Sequence, residues 1–210
     1  MKKFKVSSLA TVVSAVIYGT SAQAAEPTEL TVTNPASYDG IAYIVTSGNT
    51  LDFNQQDVVF TKNNNGDNIR LQVDVGGAIK NVKDLTINGD GFKNNGSITM
   101  SGKFTFREGN GKISNETEGT MEVGSLYSDR NGFKNKGILT VNDGVIYTTE
   151  FENAGTIISG KDTLNIKYNF VGFTLKVGGK LQSKSGNFLN LVFEQGLGDT
   201  PPSLITTRQI

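Results

Sequence analysis

Between residues 77 and 190, apolar and polar residues alternate over short runs, and Gly or Asn-Gly turns punctuate them. Alternation of this length predicts short β-strands with one inward face. The runs repeat. FKNNGSITM (92–100) is matched by FKNKGILTV (133–141) and FENAGTIIS (151–159). A looser copy, ISNETEGTMEV (113–123), carries two extra residues between Asn115 and Gly119. The repeat glycines fall at 77, 96, 119, 137, 155 and 179, at spacings of 19, 23, 18, 18 and 24. Two places after each stands a large apolar residue: Ile79, Ile98, Met121, Leu139, Ile157 and Leu181. A second short strand follows in the central units, through Phe104 and Phe106, Leu126, Val145–Tyr147, and Leu164 with Ile166.

Helix competes poorly, because no window after residue 26 sustains an i, i+3, i+4, i+7 apolar stripe. The Asn, Gly and Thr content opposes one as well. A propeller blade needs roughly 40 residues, about twice the unit seen here. A sandwich would not require its units to look alike. Units of 18–24 residues with recurring Gly and Asn positions predict an all-β fold, a right-handed parallel β-helix or β-solenoid. One coil cannot bury its own apolar face, so stacking must make the inner column continuous. Eight or nine coils at about 4.8 Å each would give a rod of roughly 40 Å.

Asn94, Asn115, Asn135 and Asn153 recur at the corner before the Gly. They are expected to stack with amides bonded along the rod, where the backbone turns through a conformation that Asn and Gly accept cheaply. Phe92, Phe133 and Phe151 are expected to form an internal aromatic stack, not a carbohydrate platform. Four segments follow: a signal peptide (1–24), a cap with irregular first coils (25–76), solenoid repeats (77–193) and a disordered tail (194–210). Within the second, Thr50–Phe53 and Val58–Phe60 read as strands and Lys62–Asp67 as a polar turn.

The leader reading rests on Lys2, Lys3 and Lys5, an apolar stretch over 6–18, and an A-x-A site at Ala22–Ala24. That stretch is too short to span a bilayer, and no later segment approaches the roughly 20 apolar residues required. The whole chain carries 20 basic and 20 acidic residues, and loss of the leader would leave 17 against 20. This is not a nucleic-acid-binding balance. Lack of Cys excludes disulfides, thiol nucleophiles and thiolate metal sites; lack of His excludes imidazole-ligated zinc and Ser-His-Asp catalysis.

The leader, the Gly/Asn/Thr-rich Cys-free chain and the F-x-N-x-G-x-[IL] units resemble the passenger region of bacterial autotransporters and filamentous-haemagglutinin-like exoproteins. The likeness covers about 77–190 and is specific for architecture, since such passengers include adhesins, biofilm proteins and toxin-like proteins. It implies export through the periplasm to the cell surface or medium of a Gram-negative bacterium. It also implies a host or bacterial surface glycan, or a matrix protein, as partner. A C-terminal translocator barrel usually accompanies such passengers, and the chain reads as a fragment or short relative without one. Many parallel β-helices are instead polysaccharide lyases or hydrolases. For such chemistry Asp84, Asp90, Glu108, Glu116, Glu118, Glu122, Asp129 and Arg130 are at hand. None recurs as a close pair in consistent register, and Glu116-x-Glu118 is better read as a solvated corner. No G-G-x-G-x-D calcium nonapeptide is present, and the G-x-G fragments precede no helix. The expectation is an exported structural and adhesive module, with no catalytic residues, cofactor or metal. A carbohydrate-active enzyme and a truncated passenger fragment without function of its own are the alternatives.

Overall fold

The computed structural model describes residues 28–31, 36–39, 42–61, 70–88, 91–107, 113–128, 132–195 and 205–206. The leader assigned to 1–24, the polar turn at 62–67 and most of the tail lie outside them. Among the described residues there are twenty strands and no helix, and every strand pairing is parallel. The chain is a parallel β-solenoid.

Three columns of strands build it. The first passes from Thr28–Thr31 through Ser97–Met100, Thr120–Val123, Ile138–Val141 and Thr156–Ser159 to Lys180–Ser183. The second includes Ala36–Asp39, Lys103–Arg107, Ser125–Ser128 and Asn190–Gln195. The third includes Ala42–Val45, Arg70–Val73, Gly91–Asn94, Ile113–Asn115, Phe133–Asn135 and Ile205–Thr206. Four long strands round a corner and serve two columns each: Asn49–Thr61, Ala78–Asn88, Val145–Asn153 and Thr163–Leu175. Each column therefore holds eight rungs. Four successive coils, within 78–153, end in the repeated Asn-Gly corners, at Asn94, Asn115, Asn135 and Asn153.

The apolar residue two places after each repeat glycine falls on one register line, Leu51–Ile79–Ile98–Met121–Leu139–Ile157–Leu181. From Ile79 to Ile157 these side chains are at most 1% exposed. A second line runs Leu85–Phe104–Leu126–Ile146–Ile166–Phe193. Ser159, polar where the preceding coils have Val123 and Val141, is fully buried, with its hydroxyl donating to the Thr163 carbonyl and accepting from the Lys161 N–H. It thus closes a corner that its coil needs.

The third column stacks aromatics as expected, with one interruption. Phe133 and Phe151 have ring centroids 5.5 Å apart, and Phe151 and Phe173 5.4 Å. Phe92 lies on the same line, but Ile113 separates it from Phe133. Its ring meets Phe104 of the second column instead, at 4.9 Å.

The Asn-Gly corner has a different physical basis from the one expected. Neither the four asparagines nor Gly96, Gly119, Gly137 and Gly155 has a positive φ. What the glycines supply is space. A Cβ on Gly155 would fall on the Gly137 carbonyl oxygen, and one on Gly137 on the carbonyls of Gly119 and Glu116. The corner lets consecutive turns pass closer than any side chain permits. Among the described non-glycine residues, positive φ occurs at Asn54, Gln55 and Asn81, where two long strands bend between the first and second columns. Asp52 steadies that bend, accepting the Asn54 N–H and the Asn81 side-chain amide.

Candidate functional site

Inside the third corner the four asparagines form a continuous ladder. The Nδ2 of Asn94 donates to Oδ1 of Asn115 at 2.8 Å, Asn115 to Asn135 at 2.9 Å, and Asn135 to Asn153 at 2.7 Å. Each amide also donates to a backbone carbonyl of the coil above: Thr120, Ile138, Thr156 and Lys180 in turn. All four side chains are 0% exposed. Amides satisfied in this way hold the turns in register and face away from any ligand.

Whatever the molecule recognises must therefore touch its outer faces. Over the third column the outward line is Lys93–Ser114–Lys134–Glu152. Glu152 sits 3.8 Å from Lys134 and 3.5 Å from Lys176, and Glu116 2.9 Å from Lys136. Burial of Glu116 works against its charge. Hydrogen bonds from Lys136 and Ser114, with the charges of Lys136 and Lys93, outweigh it and lower the carboxyl from its usual value of 4.5. These ion pairs run from coil to coil, so charge is balanced along the rod.

Over the second column the outward line is Thr86–Thr105–Tyr127–Tyr147–Lys167–Glu194. Tyr127 and Tyr147 lie face to face, with centroids 4.5 Å apart and planes 8° from parallel. The Lys103 ammonium lies over the Tyr127 ring, 5.5 Å from its centroid, and Lys167 pairs with Glu194 at 2.7 Å. Both tyrosines are half-buried, and the faces they turn to each other are closed. Sugars stack on open aromatic faces, and a pair packed face to face offers edges and hydroxyls instead.

Near the last coil Asp162 gathers Ser183, Ser185 and the side-chain amide of Asn187 around its carboxylate. Those three hydrogen bonds lower its pKa from 3.8 to about 2. The cluster is exposed and ties the 183–187 turn to the coil before it.

The acidic residues named from sequence are not brought together. Asp84 accepts the Lys103 N–H, Glu116 pairs with Lys136, and Glu122 holds the Asn142 amide and lies 3.6 Å from Lys184. Glu118 is exposed on the same corner as Glu116. Asp90, Glu108, Asp129 and Arg130 lie outside the described residues. Among the described residues no three acidic side chains are grouped as metal ligands would be. No helix there is long and apolar enough to cross a membrane. The tyrosine pair is what sequence reasoning missed. Its signal was present, since Leu126-Tyr127 and Ile146-Tyr147 are inward–outward dipeptides 20 residues apart.

Comparison with protein-family models, with curated proteins and with solved structures finds no match for this chain.

Proposed function

We propose that this chain is a structural and adhesive module of an exported bacterial protein, built like an autotransporter or filamentous-haemagglutinin-like passenger. It works at the cell surface or in the medium, through shape. The observation that carries the reading is the continuous interior of the middle coils. Apolar lines and an asparagine ladder run through successive turns, and a phenylalanine stack joins Phe133, Phe151 and Phe173. Such a stack is stiff along its axis and presents side chains at the strand spacing of about 4.8 Å, which suits contact with extended partners. The partner class is a surface glycan or a matrix protein, met by the polar outer lines of Thr, Lys, Asn and Glu. Catalysis is left out because Glu116 and Glu152, carboxylates of the charged face, are committed to lysines.

Fractionation of cells of the native organism, with protease shaving of intact cells, tests the export half of the reading. A protease-sensitive product on intact cells, or one in the medium, is expected. A product confined to the cytoplasm or the periplasm overturns it. Purified chain on glycan and matrix-protein arrays tests the adhesive half. Saturable binding that weakens when Lys93 and Lys134 are changed to Glu is expected, and no binding to either array overturns it.

A further inference from the structure

From the register of the second column we infer an oxidative modification site: Tyr127 and Tyr147 are placed to form an intramolecular dityrosine bond joining consecutive coils. Five tyrosines stand on strands, at 38, 43, 127, 147 and 168. Only Tyr127 and Tyr147 are register partners of each other. Tyr38 pairs with Phe60, Tyr43 with Leu71, and Tyr168 with Thr148 and Gln195. The rings of the pair are 4.5 Å apart at their centroids and nearly parallel. A biaryl bond lies in the planes of both rings, so each ring must turn out of the stack about its side-chain torsions before one ortho carbon of each can meet, and both side chains are only half-buried. Parallel strands hold the two backbones at about 4.8 Å, so the rings remain neighbours while they turn.

The chemistry requires a two-electron oxidant, here a peroxide with a haem peroxidase. Each phenol gives up one electron and one proton to become a phenoxyl radical. The two radicals combine through one ortho carbon of each ring. Each of these carbons then releases its hydrogen as a proton while a phenolic oxygen takes one up, restoring both aromatic rings. The protein loses two hydrogen atoms in all, and the peroxide is reduced to two molecules of water. The resulting bond is a covalent staple across coils in a chain that has no Cys and no disulfide. It would act, as disulfides do, by restricting the unfolded chain.

The test treats dilute purified chain with a haem peroxidase and limiting hydrogen peroxide. The expected product is a monomer lighter by two hydrogen atoms, with blue dityrosine fluorescence. Trypsin should release one linked pair, peptide 113–130 joined to peptide 137–161. Y127F and Y147F keep the stacked rings and should each lose both the linked pair and the fluorescence, whereas Y168F should retain them. Unfolding in urea before treatment should remove the preference for this pair. An unchanged intact mass, a link through any other tyrosine, or covalent dimers in place of the lighter monomer would overturn the inference.

Discussion

The middle coils, 97–159, and the last one, 180–195, contain similar residues in different circumstances. In the middle, Ile98, Met121, Leu139 and Ile157 have a coil on both sides and are at most 1% exposed. In the last, Leu181, Leu191 and Phe193 continue the same lines but are only partly buried. The asparagine ladder stops as well, because Leu175 and then Thr206 occupy the next positions after Asn153. Polar contacts move outward to the Asp162 cluster, and Phe188 stands fully exposed. The difference shows that in a solenoid a side chain's contribution depends on its neighbours in the stack more than on its type.

The largest effect should come from the core. Phe151 is fully buried between Phe133 and Phe173, and Phe151→Ala should destabilise the chain by about 4 kcal/mol. Phe193→Ala, half-buried at the end of its line, should cost about 1–2 kcal/mol by the same measure. Urea unfolding of both variants checks this, and equal losses would break the comparison. Next comes Asn135→Ala. It removes the donor to Asn153 and Thr156 and the acceptor for Asn115, at a cost of about 3 kcal/mol in the free energy of urea unfolding. Gly137→Ala should follow at about 2 kcal/mol, because its Cβ meets backbone carbonyls that cannot rotate aside. Gly186→Ala in the last coil has open space around it, so any loss there reflects its φ of 78° alone. Thermal melts of the two alanine variants separate close approach from backbone strain.

Much of this was legible in the chain because a solenoid writes its stacking into the sequence. The glycine at each repeat, the apolar residue two places on and the corner asparagine are each one register line, so aligning the repeats aligns the coils. The reason for the glycine was not legible. Crowding by the carbonyl of the adjacent coil is a contact between turns, whereas sequence reasoning supplied only the local turn preference. The bends at Asn54, Gln55 and Asn81 were hidden for a related reason, since no Gly or Pro marks them. Outward pairs such as Tyr127 and Tyr147 need the register as well as the repeat. Apolar inward residues announce a repeat, and outward ones vary too freely to do so.

The smallest effect concerns pH, and it sharpens the contrast between the two regions. Asp162 titrates at about 2 in the folded chain against an ordinary 3.8, through hydrogen bonds from Ser183, Ser185 and Asn187. A depressed carboxyl stabilises the fold above its unfolded pKa, and that contribution disappears as pH falls through the folded one. The contribution of Asp162 should therefore be complete above pH 3.8 and lost as pH falls to about 2. Glu116 works in the same direction below its ordinary 4.5, but it sits in a middle coil with buried neighbours on both sides. Acid should then loosen the 183–195 turn and strand before it loosens 97–159. Amide hydrogen exchange at pH 6 and at pH 2, corrected for the intrinsic rate, reads this as protection lost first in the last coil. Asp162→Asn should show the weaker protection of that segment at both pH values, with the middle coils unchanged. If the segment exchanges alike in both proteins and at both pH values, the Asp162 cluster does not hold the last coil, and its partly buried apolar residues alone do.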